Sequence, residues 1–183
     1  MFNAVNGRLT LSAGTMDYIR FGRGERTLIM IPGVGDGFKT VRGLALPFAV
    51  TYRKLSQDFT VYGFSRVNAL KSGATTRDMA NDLAEAMDAL GLEHACVLGV
   101  SQGGMIAQWL AIDHPERVDR LILAATAACS NDTMRTVLND WIYMAERDSY
   151  RAIMIDFALR AYTPRRAAHA ARMWRMLGYF GKP

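Results

Sequence analysis

Residues 97–105 read Val-Leu-Gly-Val-Ser-Gln-Gly-Gly-Met and contain Gly-x-Ser-x-Gly at Gly99, Ser101 and Gly103. A serine so placed can serve as a nucleophile toward a carbonyl carbon. A sharp, strained bend must lift its hydroxyl clear of the backbone, and the residues two positions away then crowd one another, so only small ones fit. A helix starting at Gln102 would aim its free N–H groups and its positive dipole end at the same spot. Negative charge developing on a substrate oxygen is stabilised there. The competing reading is a glycine-rich junction in which Ser101 only caps the helix.

Acyl transfer needs two N–H donors on that oxygen. One belongs to the residue after the serine, Gln102, and the other comes from a loop that follows an earlier strand. The turn 32–37, Pro-Gly-Val-Gly-Asp-Gly, supplies such a loop, with Val34 as the expected donor. The same turn fails as a dinucleotide cradle. Phe38 follows Gly33-x-Gly35, and Thr40 follows Gly35-x-Gly37, where a third glycine belongs.

These groups need a scaffold. Apolar runs at 9–11 and 18–21, parted by Ala13-Gly14, predict a hairpin, and 27–31 and 60–65 predict further strands. A helical period runs from 44 to 57 with Pro47 near its start. Residues 75–90 predict a second helix, with Thr75 as N-cap, Asp78 three residues on, and Gly91 just past its end. Met79, Leu83, Ala86, Met87 and Leu90 form its apolar stripe. The run 95–100 reads as a strand buried on both faces and leads straight into Ser101; 121–126 reads as another. Between them, residues 101–113 are helical and end before Pro115. This alternation predicts an α/β fold, a mostly parallel sheet with helices on both faces. Residues 133–147, 150–162 and 165–179 then read as three helices without a strand between them, Pro164 suiting an N1 position. The expected division is a core over 1–127 and a helical cap or lid over 128–183. The methionines of those helices suit either ordinary helix packing or an adaptable apolar acyl pocket.

The hairpin, the turn 32–37, the elbow 99–103 and the stretch His-Pro-Glu-Arg-Val-Asp-Arg-Leu-Ile-Leu at 114–123 together resemble the N-terminal two-thirds of an α/β-hydrolase. Pro32 stands where many members carry histidine. The donated group is a backbone N–H, so the class is unaffected. The resemblance implies a serine-dependent, esterase-like hydrolase: Ser101 is acylated, Val34 and Gln102 N–H groups form the oxyanion hole, and Gly99 and Gly103 shape the elbow. It implies no cofactor and no metal, and a small-molecule acyl substrate.

In that family the order is serine, then acid, then histidine. None of the three histidines matches the family position. His94 precedes the elbow strand, His114 lies roughly 20 Å from Ser101 along the helix, and His169 falls on the third C-terminal helix. Asp132 is the candidate acid, and a capping role explains it as well. The chain is therefore expected to be an incomplete hydrolase, lacking the C-terminal strands with the acid and histidine and impaired in turnover. Residues 121–126 would then be a bare apolar sheet edge through which copies self-associate. The alternative is a non-catalytic ligand-binding or interaction protein on the same scaffold.

Composition narrows the class further. Half of the residues are hydrophobic, 21% are charged and five are proline, which excludes disorder and low-complexity classes. The net charge of +5 belongs to residues 151–183, where seven Lys/Arg face Asp156 alone. No nucleic-acid motif accompanies these cations, so no nucleic-acid partner is expected. No apolar stretch has the length of a membrane span and no secretory signal is visible. Cys96 and Cys129 read as reduced thiols, and the expected location is cytoplasmic.

Overall fold

A computed structural model describes residues 2–37, 40–147 and 149–177. Six strands, β1 (Val5–Leu11), β2 (Gly14–Gly22), β3 (Arg26–Ile31), β4 (Phe59–Val67), β5 (Ala95–Val100) and β6 (Val118–Ala124), form one sheet in the order β1-β2-β4-β3-β5-β6. The hairpin β1–β2 and the β2–β4 pair are antiparallel, whereas β4, β3, β5 and β6 run parallel. The expected α/β architecture is therefore present, with an antiparallel hairpin on one flank.

Alternation along the central strands explains why helices cover both faces. Ile29 and Ile31 of β3 point to one side, where Leu83 and Met87 of α3 (Thr76–Ala89) and Ile106 and Leu110 of α4 (Gln102–Asp113) pack. Leu28 and Met30 point to the other, against Ala45 and Ala49 of α1 (Ala45–Thr51). Strands apolar on both faces are what a doubly covered parallel sheet requires. The start of α3 is set locally. The Thr75 side chain accepts from the Asp78 N–H while the Asp78 carboxylate accepts from the Thr75 N–H at 2.8 Å. Gly91, at φ 65°, turns the chain out of the helix.

Three expectations are corrected. The helical stretch 44–57 is two helices, α1 and α2 (Leu55–Asp58), because Tyr52 leaves helical geometry at φ −101°, ψ 27° and its carbonyl accepts from Leu55 in a tighter turn. The last strand runs over Val118–Ala124 rather than 121–126. Val118 pairs with Ala95 at its start, and Ala125, at φ 48°, cannot continue a strand. Nor is that strand buried. It is one edge of the sheet among the described residues, with Leu121, Ile122 and Leu123 at 37%, 50% and 43% exposure.

Contacts divide the chain into two compact units, Met1–Ala128 and Cys129–Pro183. The second contains α5 (Asp132–Ala145), α6 (Tyr150–Ala161) and α7 (Pro164–Leu177). Trp141 Nε1 donates to Asp156 Oδ2 at 2.7 Å, tying α5 to α6, and Arg160 Nε, one turn along α6, donates to the same oxygen at 2.6 Å. The expected continuation of the third helix to Tyr179 lies outside the described residues. No helix among the described residues is long and apolar enough to cross a membrane.

Two outcomes follow from the sheet. Asp17 is buried on β2, directly opposite Arg8 on β1, which donates to it at 2.7 Å. That bond holds the carboxyl below its ordinary 3.8, against the opposing effect of burial. Stability from this pair is present above the ordinary value and lost as pH falls through the lower native one. Urea midpoints should drop below pH 3.8, and Asp17→Asn should flatten that arm while lowering the midpoint at pH 7. The apolar edge of β6 should drive self-association that grows with concentration. Sedimentation should show Ile122→Lys shifted toward the monomer, and equal association of both proteins would exclude this edge.

Candidate active site

The passage from β5 to α4 falls entirely on Ser101, at φ 53°, ψ −121°. Glycine favours that region, and a residue with a Cβ pays about 1–3 kcal/mol to occupy it. Three hydrogen bonds hold it there. The Ser101 N–H donates to Ala124 O at 2.9 Å, and the Ser101 carbonyl accepts from Gly104 N at 2.9 Å and from Thr126 Oγ1 at 2.7 Å. The side chain is exposed and makes no capping hydrogen bond, so the helix-cap reading of this serine is not what the geometry shows.

The glycines flanking it are required by close approach. A Cβ on Gly99 would lie 2.5 Å from Gly103 O, and one on Gly103 would run into the carbonyl oxygens of Ile31 and Pro32. Helix α4 thus rests on the main chain of β3 and β5 with no side chain between them. Crowding of Gly99 against Gly103 is the contact that the spacing predicts. The contact of Gly103 with the end of β3 is an additional one.

That contact also fixes where the turn after β3 lies. Ile31 is in register with Gly99, so the chain leaves β3 alongside Ser101. A Cβ built on Gly33 would stand 3.2 Å from Ser101 Cβ and 3.7 Å from its Oγ. Val34, 39% exposed, opens a short 3-10 turn over Val34–Gly37, and Gln102 opens α4. Both are first residues of a helical segment, whose N–H groups have no intrahelical acceptor. The arrangement brings a hydroxyl and two helix-start amides into one neighbourhood.

Two residues here escaped the sequence reading. Arg66, buried on β4, donates from Nη2 to Pro32 O at 2.6 Å and to Gln102 Oε1 at 3.2 Å. The sequence pattern ends the strand at residue 65, and a cation directly after a largely apolar run is the available signal. Thr126, which holds the Ser101 carbonyl, carried no signal at all.

The histidines of the first unit lie elsewhere. His94 pairs with Asp119 at 2.8 Å, at the opposite end of β5 from Ser101, about 23 Å away by strand rise. The Asp119 carboxylate raises the His94 pKa. His114 ends α4 and its Nε2 meets Asn81 Oδ1 at 3.0 Å. His169 belongs to α7 of the second unit, in the company of Arg165, Arg166 and Arg172. Asp132, also in the second unit, is the first residue of α5. The cap is its neighbour Asn131, whose side chain accepts from Met134 N at 2.8 Å. Among the described residues no group of His, Cys, Asp and Glu could hold a metal ion.

The sequence profile described as alpha/beta hydrolase fold matches residues 26–173. The chain belongs to that family. Among curated relatives, 2-hydroxymuconate semialdehyde hydrolase of Pseudomonas sp. strain CF600 is 33% identical over 156 residues, 83% of this chain and 54% of the relative. The dihydrolipoyllysine-residue acetyltransferase component of the acetoin cleaving system of Cupriavidus necator is 36% identical over 101 residues, 55% of this chain and 26% of that protein. A carboxylesterase structure from Nitrososphaera gargenis superposes with a TM-score of 0.69 at 20% identity, covering 93% of this chain and 65% of that one. The chain spans about half, or less, of the length of these curated relatives.

Opposite effects are expected at two neighbouring positions. Gly103→Ala must displace backbone, and a urea melt should show a loss of about 1–3 kcal/mol. Ser101→Gly relieves the bend and should gain up to about 1 kcal/mol in the same experiment.

Proposed function

We propose that Ser101 is the nucleophile of an acyl-transfer hydrolase acting on a carboxylic ester or related acyl bond. The observation that carries this reading is the Ser101 backbone, bent to φ 53°, with its exposed side chain beside the turn that Val34 opens. Ser101 Oγ attacks the carbonyl carbon, and the oxygen of the resulting tetrahedral centre takes hydrogen bonds from the N–H groups of Val34 and Gln102. The dipole of α4 adds to their field. Collapse of that centre expels the leaving group and leaves Ser101 acylated; water then releases the acid.

The proton taken from Ser101 needs a base, and a serine without one is a weak nucleophile. His94 and His114 stand far from Ser101, so neither serves. Asp132, on the second unit, is the acid that the family resemblance suggests. Turnover by the 183-residue chain is therefore expected to be slow, supported mainly by the oxyanion donors. The distance of those histidines also favours a second reading, a ligand-binding protein that keeps the hydrolase scaffold without the chemistry. The substrate in the name of the Pseudomonas relative, 2-hydroxymuconate semialdehyde, belongs in the assay beside simple esters.

A fluorophosphonate probe and a short-chain aryl ester separate the two readings. The chain should be labelled at Ser101, and Ser101→Ala should abolish labelling. Labelling that survives Ser101→Ala would overturn the proposal, and a chain that binds the ester without labelling would favour the binding protein.

A further inference from the structure

We infer that Arg66 is a positioning residue that sets the separation between the two amide donors at Ser101; the inference rests on the acyl-transfer reading above. The donors belong to different segments. Val34 follows β3 and Gln102 follows Ser101, and the pairing of β3 with β5 stops at Ile31 and Gly99. Beyond that pair of residues the turn and the helix start are side by side. Gly103 limits how closely they approach, but steric contact alone does not stop them from parting.

Arg66 supplies the attraction. It stands on β4, the strand next to β3, and is 8% exposed. One guanidinium nitrogen donates to the carbonyl of Pro32, two residues before Val34, and to the side chain of Gln102. The cation thus ties the segment carrying one donor to the residue carrying the other. Its burial and its protein acceptors mark it as a part of the scaffold and not as a substrate contact. Guanidinium is planar and weakly hydrated, so it can be buried between two acceptors with little freedom to wander. Oxyanion donors act over a narrow range, about 2.7–3.1 Å from the oxygen. A small change in their separation therefore affects the reaction step and leaves substrate binding nearly alone.

The test uses the 183-residue chain and a fluorophosphonate concentration series, which gives a half-saturating concentration and a limiting rate of Ser101 labelling. Arg66→Met should lower the limiting rate about 10–100-fold, with half-saturation within about twofold, and Arg66→Lys should recover part of the loss. A crystal structure of Arg66→Met should show the Val34 and Gln102 nitrogens displaced relative to one another by more than about 0.5 Å. A folded Arg66→Met that labels within twofold of the wild-type rate overturns the inference. If Arg66→Met does not fold, Gln102→Leu removes one acceptor without touching β4 and should slow labelling about 3–10-fold; an unchanged rate overturns the inference equally. Failure of the wild-type chain to label Ser101 defeats the acyl-transfer reading alone. The crystal structure then decides the positioning role, and unchanged nitrogen positions overturn it.

Discussion

A residue with a Cβ does not rest at φ 53°, ψ −121° unless its surroundings hold it there, and β6, the loop after it and α4 do so around Ser101. The strain amounts to about 1–3 kcal/mol. Against it stand three hydrogen bonds to the Ser101 main chain, each worth about 0.5–1.5 kcal/mol net, and the close seating of α4 on β3 and β5. The supports match or exceed the strain, so the bend persists. They come from β6, from the loop after it, and from α4 itself. Gly99 and Gly103 are small for the same reason: any side chain there would push α4 away and release the bend.

Membership of the α/β hydrolase family agrees with this geometry, and the positions of the polar groups refine what the unit can do. Amide donors and a bent serine are assembled within residues 1–128. His94 and His114 are occupied with Asp119 and Asn81, far from that assembly. The first unit therefore combines a strained serine and two helix-start amides with histidines that stand away from them. Arg66 adds a buried positive charge beneath the turn, of the sign that favours an oxyanion.

What could be read from the sequence divides along a physical line. The elbow, the turn after β3, the hairpin and the capping box of α3 follow from local steric or hydrogen-bonding needs, which residue types and short spacings record. Gly-x-Ser-x-Gly states a crowding condition, and Thr75 with Asp78 states a satisfied helix start. Arg66 and Thr126 act on carbonyl groups about 25 to 34 positions away, and no local pattern encodes such partners. The burial expected for the last strand failed for a related reason. Apolar composition shows what a strand can tolerate on its faces, whereas exposure depends on whether another strand lies alongside. At α5 two adjacent residues could cap, and the backbone chose Asn131 over Asp132.

The main-chain N–H of Ser101 is bound to Ala124, the last residue of β6, and its carbonyl to Thr126, two positions beyond. β6 is also an outer strand of the sheet, paired along one side among the described residues. The bend at Ser101 is consequently anchored to an edge strand. Breathing of that rim would slacken the bend at Ser101 before it disturbed the interior, so reactivity at the hydroxyl should report on rim order well ahead of global unfolding.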